Sequence, residues 1–533
     1  MLRMTILLLV CLVVHLPKSV AADEQLQLQL RSQTETAPGS GRFHRVTQPA
    51  SWEPQRTAII VCDIWDLHHC KNAVLREIEF APRLNALLNA AREHGVTIIH
   101  APSGCMAFYQ DHPARRRAID TPKASTFPAD IGQWCKQIPS EERGAYPIDQ
   151  SNGGEDDDPV EHAAWAKELA DKGLDPKAPW TRQTNLIEID GKRDYISDSG
   201  EEVWSILSDK GIDNVILSGV HTNMCVLGRP FGLRQMVQNG KQAALLRDMT
   251  DTMYDPHAKP YVSHFTGTDL IVAHIEKYVC PTITSDQFLG GKPFRFHDDT
   301  RPHVAIIMAE DEYHTEETLP KFALEQLGRD YRVSYVFGSE TDHGDIPGLD
   351  VLDDADVLLV SARRRPIQPQ QLAKIRKFVT DGKPMVGIRT ASHAFCLRDK
   401  PAPEGLADWP EFDAQVWGGS YTNHHNNKLT STVFAASTAT DNSILQDVAT
   451  PFPQGGSLYK TAPLHEGAAP LLEGKLNDEE ASAEPVAWTF TRADGGSSFY
   501  TSLGHVDDFA GKSFPRLLKQ AIDWLAAQRA ASL

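Results

Sequence analysis

The stretch Ile212-Asp-Asn-Val-Ile-Leu-Ser-Gly-Val-His-Thr-Asn-Met-Cys-Val-Leu-Gly228 constrains the fold more than any other. Its apolar run, Val215-Ile-Leu, ends at Ser218-Gly219 and breaks into a polar turn, His221-Thr222-Asn223. Cys225 follows, and then residues of helical character up to Gln238. A buried parallel strand, a tight turn and a helix expose a thiol at the carboxyl end of a sheet, where the first backbone N–H groups of the helix gather. Those dipoles favour a thiolate and can stabilise an oxyanion. Most free cysteines are buried core. Cys225 is set apart by its place on a strand–turn–helix corner.

The surrounding pattern is a βαβ rhythm. Arg56-Thr-Ala-Ile-Ile-Val-Cys-Asp63 is a continuous apolar run closed by a carboxylate, as expected of a first buried parallel strand. A helical period over Ile78–His94 stops at Gly95, and Val96-Thr-Ile-Ile-His100 reads as the next strand. Residues 106–184 break the rhythm with proline, charge and three tryptophans, Trp134, Trp165 and Trp180. An irregular segment of that length is expected to form a lid or an interface. Its acidic run, Glu155-Asp-Asp-Asp158, lacks the ligand spacing of a calcium loop and reads as a solvated turn. Strands are expected again at Leu186-Ile-Glu-Ile189 and Ala243–Leu246, with helices through Val203–Leu207 and Thr268–Tyr278.

After a Gly- and Pro-bearing linker, 281–302, a second rhythm opens at Val304-Ala-Ile-Ile-Met308 and runs through strands at 332–337, 356–360 and 384–388. Its helices fall at 316–327, 369–381 and 514–527. The expected fold is therefore α/β, two doubly wound three-layer αβα domains with mainly parallel sheets, at 56–280 and 303–533. The length of 533 residues agrees, being too great for one ordinary core. A net charge of −18 disfavours nucleic acid and anionic membranes as partners. Residues 1–22 carry Arg3, an apolar core and small residues at 19–22, the marks of an export signal, which places the protein in the periplasm or outside the cell. No later segment is apolar enough to span a bilayer. Residues 23–55 are polar and Gln-rich and read as a mobile leader. Beyond the signal seven cysteines remain, with no zinc spacing, and some could pair after export.

Gly219-Val-His-Thr-Asn-Met-Cys-Val226, with Asp63 ending the first strand, resembles the isochorismatase-like cysteine hydrolases, a superfamily that includes nicotinamidases and carbamoyl-amide hydrolases. The resemblance implies a small-molecule amide or carbamoyl substrate. Asp63 would be the base, Lys192 the activating cation and Cys225 the nucleophile, with Lys177 and Arg182 as alternative cations. It implies a non-proline cis peptide at Val220–His221 that sends the His221 and Cys225 N–H groups to an oxyanion hole. Trp65, where the family often has glutamine, would shape the pocket with His100 and Thr222. A nicotinamidase-type metal would need Asp-x-His and a further histidine in the second loop, where only His100 and His112 stand, so no metal and no cofactor are expected.

The second half resembles the trehalose-utilisation (ThuA-like) family, with a fold like that of class I glutamine amidotransferases. The resemblance rests on Ala362-Arg-Arg-Arg365, Gly387-Ile-Arg-Thr-Ala-Ser-His-Ala-Phe395, Gly418-Gly-Ser-Tyr-Thr-Asn-His-His425 and Leu503-Gly-His505. The amidotransferase cysteine would stand at about Arg389; Cys396 comes too late, within the expected helix, so glutaminase chemistry is not expected. His314, His393, His424 and His505 could converge near the sheet edge and, with Arg364, are the candidates to bind a sugar-like molecule, or the histidines a metal; Arg363–Arg365 reads either as an anion holder or as a solvated charged loop. Three readings stand: a cysteine amidohydrolase, a carbohydrate-processing or carbohydrate-binding protein centred on the second half, and a non-catalytic scaffold. Homo-oligomers fit all three.

Overall fold

The computed structural model describes residues 25–439, 442–477 and 482–532. The export-signal reading of residues 1–22 lies outside them.

The first domain contains, in order, β1 (Leu26–Glu35), β2 (Phe43–Trp52), β3 (Thr57–Cys62), α1 (Lys71–Glu93), β4 (Thr97–Ala101), α2 (Pro113–Asp120), α3 (Pro159–Asp171) and β5 (Tyr195–Ile196). It continues with α4 (Gly200–Asp209), β6 (Asn214–Val220), α5 (Leu233–Gln238), β7 (Gln242–Asp251), α6 (His264–Tyr278), β8 (Thr282–Ile283) and α7 (Asp286–Leu289). Its sheet runs β2-β1-β8-β7-β6-β3-β4-β5, parallel from β8 to β5. The central strands are apolar throughout because both faces are covered. Ile60, Ile99, Val215 and Leu245 pack on one side with α4, α5 and α6. Ile59, Val61, Ile216 and Leu246 pack on the other with α1. The chain leaves β3 toward β4 and β5 and returns to β6 on the opposite side, so the order reverses between β3 and β6. Ligands bind α/β sheets at such a reversal, beyond the carboxyl ends of the strands.

Three expectations are corrected here. The stretch read as a mobile leader forms the β1–β2 hairpin, paired from Leu26↔Trp52 to Glu35↔Phe43, with Leu26 and Leu28 in the core. β1 joins β8 antiparallel, and Arg31 Nε donates to Glu276 at 2.6 Å. The far end of the hairpin touches the second domain through Arg42–Glu340 at 2.6 Å and Arg45–Asp350 at 3.2 Å. Much of the expected linker also packs: β8 extends the first sheet, and Phe294 and Phe296 lie against its core. Leu186–Ile189 is a loop, and the strand expected there is β5.

The second domain contains β9 (His303–Ala309), α8 (Thr315–Phe322), β10 (Arg332–Phe337), β11 (Val357–Ala362), α9 (Pro369–Thr380), β12 (Met385–Ile388), β13 (Asn423–His424), β14 (Ser431–Ala435) and β15 (Phe452–Pro453). β16 (Tyr459–Lys460), β17 (Ala468–Leu476), β18 (Glu484–Thr491), β19 (Ser497–Thr501), α10 (Val506–Ala510) and α11 (Ser513–Ser532) complete it. The main sheet, β10-β9-β11-β12-β19-β18-β17-β14-β15, is parallel from β10 to β19 and antiparallel beyond. Among the described residues no helix is long and apolar enough to cross a membrane. The seven cysteines there are all free thiols, so none of the pairings allowed by an exported chain is made.

Candidate active site

Asp63 and Cys225 meet where the two adjacent strands β3 and β6 end. Asp63 is fully buried with φ 51°, its N–H donating to the Ala101 carbonyl at 3.1 Å. Its Oδ1 accepts the Ser103 N–H at 2.7 Å and its Oδ2 accepts Arg229 Nε at 3.1 Å, and its carboxylate lies near enough to the Cys225 thiol for the two to act on each other electrostatically. β6 runs out through the Val220–His221 cis peptide into a single π-helical turn, Thr222–Val226, which carries Cys225 at 8% exposure. Arg229, four residues beyond Cys225, stands close enough to act on the thiol electrostatically as well. Close packing of the two strand ends requires Gly219, at φ +115°, where a Cβ would stand 1.9 Å from the Cys62 carbonyl oxygen. Gly219→Ala is expected to cost more than ~3 kcal/mol and to leave little folded protein; an unchanged urea midpoint would show that the backbone relaxes there.

The electrostatics depart from the expectation of a ready thiolate. Burial, reinforced by the Asp63 charge, pushes the Cys225 thiol up, with Arg229 opposing. Burial also raises Asp63 above the ordinary aspartate value, against the pull of Arg229. The resting pair is thus a neutral thiol facing a carboxylate held by an arginine.

The cation is not the one expected. Lys192 is exposed in a turn, its backbone N–H donating to Asp190 at 2.7 Å. Lys177 is exposed, and Arg182 lies 3.7 Å from Asp66 and over the Phe108 ring. Arg229 takes the place beside Asp63; the signal for it in the sequence was its position four residues after Cys225, one turn along the same helical segment. Two pocket candidates are also placed differently. His100 is fully buried in a closed network, facing Gln183 at 2.9 Å and Asp194 at 3.1 Å. Thr222 is fully buried and holds the turn, its Oγ1 2.7 Å from Thr250 Oγ1 and donating to the Asp251 carbonyl at 2.9 Å. Trp65 does sit at the site, donating from Nε1 to the Ser103 carbonyl at 3.1 Å and stacking on Trp180 at 4.4 Å.

The irregular segment supplies the cover. Trp134 packs on the Arg229 guanidinium at 4.9 Å and closes on Gly228, where a Cβ would meet its ring at 2.7 Å. Tyr146 Oη donates to the Asn223 carbonyl at 3.3 Å. His221 contributes a buried ring whose Nε2 faces His68 Nε2 at 3.4 Å; burial lowers its pKa to about 4. The acidic run is structural rather than a solvated turn. Asp157 accepts the N–H groups of Lys71 and Asn72 at the start of α1, both at 2.8 Å, and Asp156 pairs with Arg76 at 2.7 Å. Cys70, Asp156 and Asp157 lie close enough to share a metal, as do His314, Glu316 and Glu317. In the first group the carboxylates are already engaged by those donors.

In the second domain β12 gives way after Ile388 to Arg389, with φ 46°, the elbow where the resemblance to glutamine amidotransferases would place a cysteine. Cys396 lies beyond the short 3-10 turn Arg389–His393 rather than in a helix. His393, Arg364 and His505 gather at this edge. Arg364 donates its N–H to the His393 carbonyl at 2.9 Å, and the His505 ring lies 5.7 Å from that of Tyr313, which stacks on Arg389 at 4.6 Å. His424 is exposed, and His314 is 65% exposed beside Glu316.

The family model for the isochorismatase domain matches residues 57–259, and that for trehalose utilisation (ThuA) matches residues 303–525. No curated protein matches the sequence. Among solved structures, a ThuA-like protein from Bacteroides uniformis is 14% identical with a TM-score of 0.32, over 44% of this chain and 95% of its own. A cysteine hydrolase from Pseudomonas syringae is 17% identical with a TM-score of 0.27, over 44% of this chain and 91% of its own. An isochorismatase family protein from Desulfovibrio vulgaris is 12% identical with a TM-score of 0.23, over 43% of this chain and 94% of its own.

Proposed function

The chain carries an isochorismatase-like hydrolase domain followed by a ThuA domain, and from that premise we propose that the first domain cleaves a C–N bond of a small amide or carbamoyl compound through Cys225. The observation that carries this reading is the buried contact of the Cys225 thiol with Asp63 at the β3–β6 reversal. Asp63 takes the thiol proton as sulfur attacks the carbonyl carbon. The N–H groups of His221 and Cys225 are the donors to the oxyanion. The C–N bond then breaks, the leaving nitrogen takes the proton from Asp63, and the acyl group stays on sulfur. Water adds to this thioester with Asp63 as base, which releases acid and thiol. Arg229 keeps Asp63 charged and oriented and, by opposing the rise of the thiol pKa, takes the part of activating cation that the resemblance gave to Lys192.

Residues 1–22 are proposed to export the enzyme to the periplasm or beyond. Trp134, Trp65 and Trp180 line a cover that favours a flat, partly apolar substrate.

The test is rapid-quench peptide mass spectrometry after mixing the full chain with a panel of primary amides and carbamoyl amides. A substrate should leave its acyl mass on the Cys225 peptide. Hydrolysis of the same compound by Cys225→Ala at the wild-type rate would overturn the proposal.

A further inference from the structure

We propose that the elbow after β12 in the ThuA domain is a binding site for a small polar molecule bearing a carboxylate or phosphate, gripped by Arg364, Arg398 and Arg389 over a floor of stacked rings. This does not rest on the Cys225 reading.

The site is built from side chains that packing alone does not call for. Arg389 is 1% exposed, sandwiched between Tyr313 at 4.6 Å and Tyr459 at 4.5 Å. The stack continues from Tyr459 to Tyr421 at 4.6 Å and from Tyr421 to His393 at 4.9 Å. Arg398 closes it, lying over Tyr421 at 5.1 Å. His505 stands at the other end: a Cβ on Gly456 would lie 2.7 Å from Arg389 Nη2 and 3.1 Å from the His505 ring. One continuous, largely buried stack of imidazole, phenol and guanidinium therefore joins His393 to His505.

Its charge is not cancelled. Arg363 is paired with Glu312 at 2.6 Å, but Arg364 and Arg398 enter no salt bridge among the described residues, Arg398 donating from Nη2 to the Thr422 carbonyl. Asp508, the carboxylate acting on Arg389, already accepts the N–H groups of Gly455, Gly504 and His505. Asp413, on the Tyr421 side, is raised by burial to about 7 and so carries a reduced charge at neutral pH. Burial and then Arg364, Arg398, Arg363 and Arg389 hold His393 down to about 3, as an electropositive site would. In a chain of net charge −18 this concentration of unpaired arginine is local.

Polar atoms at the base are also open. Arg389 Nη1 donates to the carbonyls of Ser502 at 2.8 Å and Ser457 at 3.2 Å, and Nη2 donates to Ser457 Oγ at 3.4 Å. Arg389 Nε, and the hydroxyls of Thr390 beside it and of Ser502, are buried without a hydrogen-bond partner. A ligand or water that reached them would satisfy these groups. Guanidinium groups recognise carboxylate and phosphate through paired, charge-assisted hydrogen bonds, and tyrosine faces suit the carbon skeleton of a polyol.

The test is calorimetric titration of the full chain at constant ionic strength with inorganic phosphate, D-gluconate, D-glucose 6-phosphate and neutral trehalose. Arg364→Ala/Arg398→Ala is the variant; both side chains are exposed, so it should fold, and an unchanged melting curve checks this. At least one anionic probe should bind, and the variant should lose ~10-fold or more in affinity. Binding by gluconate alone assigns a carboxylate, and binding by the two phosphates assigns a phosphate. No anion binding, equal binding in the variant, or binding by trehalose alone would overturn the proposal.

Discussion

Asp63→Asn is expected to abolish turnover while making Cys225 easier to alkylate. Loss of the base should lower kcat/KM by ~10³-fold, within the range for removal of a positioned general acid–base group. Thiol reactivity should move the other way. After burial, the Asp63 charge is the chief influence raising the Cys225 thiol, and Arg229 is the one opposing it. With asparagine in place, only burial and the arginine remain, so the thiolate becomes more accessible near neutral pH. Iodoacetamide labelling of Cys225, read by peptide mass spectrometry across pH, measures this beside turnover. A structural aspartate would give a loss in both or in neither. In the wild type, activity should rise with pH as Asp63 loses its proton, with the acidic limb displaced above the ordinary aspartate value because burial raises that carboxyl.

Asp63 was legible in the sequence because it closes an apolar run, and a parallel strand with both faces covered must be apolar until it leaves the sheet; Cys225 was legible from its place just past the corner where a second such run ends. Glycine at 219 and the polar turn marked the corner in the same way. Arg229 carried only a weak signal, because an arginine four residues past the cysteine reads equally well as an ordinary surface charge. The close approach of β3 and β6 turns it onto Asp63. Lys192 carried the opposite error, since resemblance assigned it a role that its exposed turn does not provide. The hairpin had a visible signal, the alternation of Leu26, Leu28 and Leu30, outweighed by the glutamines between them, which face outward. Leu186–Ile189 failed conversely: Ile187 and Ile189 pack inward from a loop without ladder bonds. In the second domain the expectation that His314, His393, His424 and His505 meet at one sheet edge rested on the motifs at 387–395, 418–425 and 503–505, and His314 and His424 stand exposed instead. The fold brings Arg389, His393, Tyr421 and His505 from those motifs to one sheet edge.

Arg229→Met should cost far more stability than Lys192→Ala, and its cost should depend on pH. In the wild type Arg229 is the cation that holds the charge of fully buried Asp63. Breaking such a pair leaves an uncompensated charge and costs about 3–5 kcal/mol near neutral pH. Without the arginine, Asp63 should rise further above its ordinary value. A carboxyl raised in the folded state contributes stability that is fully present below its unfolded pKa and lost as the pH climbs through its folded pKa. Urea unfolding of Arg229→Met should therefore approach wild type in acid and fall away toward neutrality. Lys192→Ala should stay within ~0.5 kcal/mol of wild type throughout, as exposed substitutions do. Arg229→Met/Asp63→Asn should regain most of the lost stability, since the buried charge is gone, yet stay inactive. A pH-independent deficit in Arg229→Met, or no recovery in the double variant, would mean that the arginine acts through its packing under Trp134 rather than through the Asp63 charge.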